Sequence, residues 1–466
     1  YEHLYLANDE EGPEAISRII YSLIRLTVKE PNFTTAYLQQ IWFLLALDGR
    51  LTNVIVEEIV SHALDRDSEN RDWMKAVSIL TSFPTTEIAC QVIEKLINMI
   101  KSFLPSLAVE ASAHSWSELT ILSKISVSIF FESPLLSQMY LPEILFAVSL
   151  LIDVGPSEIR VSLYELLMNV CHSLTNNESL PERNRKNLDI VCATFARQKL
   201  NFISGFSQEK GRVLPNFAAS SFSSKFGTLD LFTKNIMLLM EYGSISEGAQ
   251  WEAKYKKYLM DAIFGHRSFF SARAMMILGI MSKSHTSLFL CKELLVETMK
   301  VFAEPVVDDE QMFIIIAHVF TYSKIVEGLD PSSELMKELF WLATICVESP
   351  HPLLFEGGLL FMVNCLKRLY TVHLQLGFDG KSLAKKLMES RNFAATLLAK
   401  LESYNGCIWN EDNFPHIILG FIANGLSIPV VKGAALDCLQ ALFKNTYYER
   451  KSNPKSSDYL CYLFLL

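Results

Sequence analysis

The sequence predicts an all-α chain, an α-solenoid of about ten antiparallel helix pairs. Three observations carry this. Apolar residues recur at helical spacing along almost all of the 466 residues. Short turns containing Gly and Pro interrupt the runs at places where one helix must stop and the next begin. No strand-turn-strand alternation of useful length occurs, and β-branched runs such as "FIIIAHVF" are flanked by helix formers.

The stretch from Leu141 to Leu174, "LPEILFAVSLLIDVGPSEIRVSLYELLMNVCHSL", shows the unit most clearly. Its first apolar run, Ile144 to Ile152, is bracketed by Glu143 and Asp153 and falls well short of the roughly 20 residues a membrane-spanning helix needs. In the second run Ile159, Leu163, Leu166, Leu167, Val170 and Leu174 form one buried stripe. Gly155 suits the left-handed position that ends a helix, and Pro156 suits the first turn of the next one. Two helices joined by so short a turn lie antiparallel.

The same reading along the chain gives helices near 13–29, 35–47, 52–65, 70–83, 86–103, 115–132, 137–153, 157–174 and 182–200. After a break it gives 229–242, 249–264, 268–282, 287–303, 309–327, 332–348, 353–376, 381–403, 414–425, 429–446 and 457–466. The turn-then-proline pattern recurs before Pro352 and before Pro429. These two stand about two periods apart for a unit of ~40–47 residues, and Pro156 stands about five periods before Pro352. That spacing is the one expected of HEAT or armadillo pairs. "LLIDVGPSEIRVSLYELL" also resembles the HEAT repeat itself, with Asp153 in the turn and Arg160 early in the second helix. In that motif the acid and the base tie successive turns together.

The expected organisation is a first half over 1–202, an excursion over 203–228 and a second half over 229–466. The excursion is rich in Ser and Gly, with Phe206, Phe217, Phe222 and Phe226 spaced through it. A loop that long inside a compact array is functional or mobile.

Composition excludes several functions. Hydrophobic residues make up 50% and charged residues 20%, with a mean hydropathy of +0.22, as suits helices buried on more than one side. No apolar window reaches membrane-spanning length without charge, so no transmembrane segment is expected. A net charge of −9 argues against a nucleic-acid partner. The 9 cysteines include no C-x-x-C pair and sit mostly in apolar helical runs, which points to reduced thiols used as small hydrophobes.

Catalytic signatures are missing. "GFDGKS" ends like a phosphate-binding loop, yet Gln375 stands where that loop needs a glycine. None of the 10 histidines forms His-Glu-x-x-His, and the adjacent Cys171 and His172 diverge around a helix. No catalytic residue, cofactor site or metal site is therefore assigned. The positions singled out are structural: Asp153, Gly155, Pro156, Arg160, Leu163, Leu167, Pro352 and Pro429. "PERNRKN", from Pro181 to Asn187, is a short basic cluster at a helix start, a solvated face by default.

Several segments in order resemble the C-terminal helical-repeat region of the neurofibromin and yeast Ira family of Ras GTPase-activating proteins. They are the Leu141–Leu174 hairpin, "CATFARQKLNFISGFS" leading into Ala218 to Lys225, and "RSFFSARAMMILGIMSK". "ELFWLATICVESPHPLLFEGGLLFMVNCL" and "NFPHIILGFIANGLSIPVVKGAALDCLQALF" complete the series. The likeness spans roughly Val109 to the end. In that family catalysis belongs to an earlier domain with an arginine finger and a Phe-Leu-Arg signature; here Phe103-Leu104 is followed by Pro105. The resemblance thus implies a non-catalytic scaffold or dimerisation region of a negative regulator of Ras signalling. Its implied partners are other domains of the same protein, a second copy in the full-length homodimer, and Ras through the catalytic domain elsewhere. The implied location is cytoplasmic, with membrane contact made through other parts of the parent protein. The alternative is a transport or adaptor solenoid gripping a basic peptide, a function usually served by repeated Trp-Asn pairs; Trp409-Asn410 occurs once.

Overall fold

A computed structural model describes residues 12–29, 35–46, 49–64, 77, 86–103, 113–151, 154–204, 222–244, 246–265, 268–282, 288–303, 309–375, 380–391, 409–410 and 413–440. Among these residues the fold is all-α, with no strand. Two compact units are present: residues 1–213 with 235–266, and residues 214–234 with 267–466.

The first unit is layered around a ladder of amphipathic helices. Gly49–Leu64 packs on Thr86–Phe103, which packs on Ala113–Ile129, which packs on Ser157–Thr175. Each has an apolar stripe at helical spacing; in Thr86–Phe103 it is Ile88, Val92, Leu96 and Ile100, all buried. Gly12–Lys29 and Thr35–Ala46 pack on Gly49–Leu64 at one end, and Glu182–Arg197 packs on Ser157–Thr175 at the other.

Leu141–Leu151 differs in kind, because all eleven of its residues are buried. A helix that is apolar but for Glu143 and Ser149 has no solvent face to offer, so it must be covered on every side. Thr86–Phe103, Ser157–Thr175 and Gly248–Gly265 cover it. The last comes from far along the chain and brings Trp251, Tyr255, Leu259 and Ala262, one buried stripe. Residues 235–266 therefore belong to the first unit, and its packing is not confined to consecutive pairs.

A single helix expected over 137–153 is instead two, Pro134–Met139 and Leu141–Leu151, separated at Tyr140. Pro142 explains the break. In a continuous helix it would remove the bond to the Gln138 carbonyl and crowd the preceding turn. As the second residue of a new helix it lacks only an N–H that would have been unpaired. The Tyr140 carbonyl accepts from Ile144 N at 3.0 Å and starts the new helix. Likewise the helix expected over 182–200 ends at Arg197, and Lys199–Ser204 follows. The helix expected from 229 begins at Phe222, so part of the expected excursion is helical; residues 205–221 lie outside the described part, as do those expected as helix over 457–466.

The hairpin of Leu141–Leu151 and Ser157–Thr175 forms as expected, with Leu163 and Leu167 fully buried. Leu163→Ala should lower stability by ~2–5 kcal/mol, the range for core truncations. A denaturation midpoint that does not move, at unchanged slope, would show that the stripe does not face the core.

The second unit repeats the ladder. Phe269–Met281 packs on Asp309–Ile325, then Pro352–Gln375, then Phe414–Ser427, while Glu334–Val347 packs most extensively on Pro352–Gln375. Phe269–Met281 is the counterpart of Leu141–Leu151, since all thirteen of its residues are buried. Ser268 and Ser271 form a capping box at its start. The Glu310 carboxylate accepts from Phe269 N at 3.0 Å, so a second helix satisfies another of the end N–H groups. Close approach is built in at Gly279 and Gly358. A Cβ on Gly358 would lie 2.7 Å from the Cys346 Cβ.

Candidate functional site

The structural positions read from the sequence fall as follows. Gly155 has φ +78°, a left-handed residue in the turn that leads into Ser157–Thr175, and the Trp116 indole lies against its α-carbon; the first helix of the hairpin is described to Leu151. Pro156 is the N-cap residue of Ser157–Thr175. Arg160 is half-buried on the first turns of that helix, while Asp153 lies outside the described residues. Pro352 is the first residue of Pro352–Gln375. Pro429 lies in a turn in which Ile428 O accepts from Val431 N and Lys432 N, leading into a helix over 432–440.

Polar side chains in the interior act as ties between helices. In the first unit Glu143, 6% exposed, pairs with Lys254 and accepts from the Tyr258 hydroxyl at 3.2 Å. The Lys101 ammonium sits 5.6 Å from the centre of the Tyr258 ring. Burial, and then the Glu143 charge, push the Tyr258 hydroxyl up to about 12, so it stays a donor throughout the physiological range. A few residues away the Ser149 and Tyr255 hydroxyls are 2.8 Å apart. Glu143 reads in the sequence as a charge bracketing an apolar run. Its position inside a helix without a polar face was the available signal of a buried pair.

In the second unit Asp230 pairs with Lys234 and with Lys324 at 3.1 Å. Burial raises its carboxyl, but the hydrogen bonds and charges of the two lysines outweigh that and hold it below the ordinary range. Thr298 Oγ1 lies 2.6 Å from His318 Nδ1 in a buried group with Tyr322. A third group is aromatic. Trp341 donates from Nε1 to the Leu387 carbonyl at 2.8 Å and meets Trp409 edge to face at 5.3 Å. Trp409, 3% exposed, also touches Phe414 and Phe421, and its Nε1 donates to Glu348 at 3.3 Å. Trp409 is thus part of the core, not a side chain presented to a peptide.

These groups tie helices together. Among the described residues no cluster of three or more His, Cys, Asp or Glu could hold a metal, and no helix is long and apolar enough to cross a membrane. His172 and Cys192 approach to 3.8 Å across two helices, but Cys171 points into the core. Cys171, Cys291, Cys346, Cys365 and Cys438 are free and buried, and burial pushes each thiol up, which leaves little thiolate to react. Two arginines are held inside the second unit. Arg273 is buried within Phe269–Met281, and Arg368 donates to the Leu329 carbonyl at 2.7 Å.

No family model matches the chain. Against curated proteins it is 56% identical, over all 466 residues, to the inhibitory regulator protein IRA2 of Saccharomyces cerevisiae (strain ATCC 204508 / S288c). The chain spans 15% of the length of that relative. The likeness to the yeast Ira proteins read from the motifs therefore holds along the entire chain, including the stretch before Val109 where the motifs alone had indicated only compatible helix pairs.

Proposed function

We propose that this chain is a non-catalytic helical scaffold within a neurofibromin/Ira-like Ras GTPase-activating protein, a negative regulator of Ras signalling. The observation that carries the reading is the 56% identity along the whole chain to a protein named as an inhibitory regulator. The internal character of the polar groups supports it. Stimulating GTP hydrolysis requires an arginine delivered into the nucleotide site, worth ~10³–10⁵ in rate. Arg273 is enclosed by its own unit and Arg368 is held by a backbone carbonyl, so neither is free to be delivered.

In this reading the catalytic domain is supplied by another part of the parent protein. The chain contributes to homodimer assembly and to positioning that domain, in the cytoplasm, with membrane contact made elsewhere in the parent. Single-turnover GTP hydrolysis by Ras with the purified chain tests the central point. The intrinsic rate should be unchanged, and removing this region from the parent should impair its assembly or regulation. A hundredfold acceleration abolished by one arginine substitution would overturn the scaffold reading.

A further inference from the structure

The helix Glu182–Arg197 is fixed on one side and open on the other. Leu188, Val191, Cys192 and Phe195 are buried in the first unit, where the helix packs on Ser157–Thr175. The Asn184 side chain donates to the Tyr242 carbonyl at 3.2 Å and anchors the helix start. The opposite face carries Arg183, Lys186, Ile190, Ala193 and Arg197, and Leu200 continues it into the next short helix. All six are exposed, and they follow one another at alternating intervals of three and four residues. Ile190 and Leu200 are 66% and 76% exposed, two of the three most exposed large apolar side chains among the described residues.

Ile190 and Ala193 stand at the centre of this face, with Arg183 and Lys186 at one end and Arg197 at the other. Along Glu182–Arg197 it runs for roughly 21 Å at 1.5 Å per residue, long enough to seat about four turns of a second helix. Its charge is opposite in sign to the −9 of the whole chain. Glu182 and Lys186 pair at 2.7 Å and offset each other, which leaves Arg183 and Arg197 against Asp189 on this face. We propose that this face docks an acidic amphipathic helix of a partner protein. Its apolar side chains would rest on Ile190, Ala193 and Leu200, and its carboxylates would meet Arg183 and Arg197. An anionic membrane fits less well. The face carries no aromatic side chain to insert, Ala193 and Ala196 make it a shallow seat, and Asp189 would be repelled.

The test uses the 466-residue chain and a dye-labelled synthetic helix with Leu along one face and Glu elsewhere, followed by fluorescence anisotropy. A matched helix with Lys for Glu is the charge control, and phosphatidylcholine–phosphatidylserine vesicles test the membrane. The Glu helix should bind, more weakly as salt rises, and the Lys helix should not. The double variant Ile190→Asp, Arg197→Glu should weaken binding by about tenfold or more, as for a docking site with central apolar and charged anchors. Both side chains are exposed, so its thermal unfolding should match that of the parent chain. Failure of the Glu helix to bind, equal binding of both helices, or full binding by the double variant would each overturn the proposal. Vesicle binding lost in the double variant, without any helix binding, would assign the face to a membrane instead.

Discussion

Replacing Trp341 by Ala should destabilise the second unit by ~3–5 kcal/mol, the range for truncating a fully buried aromatic side chain. Trp341 is completely buried and lies where three elements meet. Phe340 and Trp409 contact its ring edge to face, and its N–H is bound to the Leu387 carbonyl of Gly380–Glu389. The Arg391 guanidinium lies over it at 6.0 Å. Truncation therefore removes packing from both tryptophans of the group at once. Trp341→Phe should cost clearly less. It keeps most of the ring volume, and the Leu387 carbonyl retains the Ser390 N–H and hydroxyl as donors. The check is urea denaturation of the three proteins. Equal midpoints for the Ala variant and the parent would mean that the aromatic group contributes no stability.

Gly155→Ala should produce a comparable loss in the first unit, about 2–5 kcal/mol from two separate causes. A side chain at φ +78° costs roughly 1–2 kcal/mol in backbone strain. The added Cβ would also lie 2.5, 2.8 and 2.9 Å from three ring atoms of Trp116, so a buried indole must move, as in overpacked cores that lose ~1–3 kcal/mol. Gly227→Ala is the control. That glycine is exposed within Phe222–Tyr242 with nothing within 4 Å of the new atom, and the substitution should be neutral or stabilising by ~0.4–1 kcal/mol. If both alanines leave the unfolding midpoint where it was, the close contact of Trp116 with the turn is wrong.

The helices and the hairpin turn were legible because they are local. The stripe through Leu163 and Leu167, the turn at Gly155 and the proline starts depend on residues within a few positions of one another. The Tyr140 break was legible in principle, since Pro142 carries it, but the apolar run on both sides masked the proline. Long-range pairing was not legible. Nothing around Glu143 names Lys254 or Tyr258, and nothing around Trp409 names Trp341. Each is settled by which helix covers which. For the same reason nothing in the lone Trp409-Asn410 pair showed that Trp409 is a core contact. The relationship to a known regulator was visible in motifs, although its extent before Val109 was not, because amphipathic helix pairs of that kind look alike in unrelated chains.

The enclosure of Leu141–Leu151 also bears on how the chain is made. Its cover includes Gly248–Gly265, and the contact from Glu143 to Tyr258 joins residues 115 positions apart. At ~5–20 residues per second, the ribosome delivers that cover on the order of ten seconds after the helix itself. During this interval an eleven-residue segment with no polar face has an incomplete sheath, and the first unit cannot close. A molecular chaperone that binds short apolar segments would find its target here during synthesis. Premature termination anywhere between the two helices would leave a fragment prone to aggregate, even though the helices before it are complete.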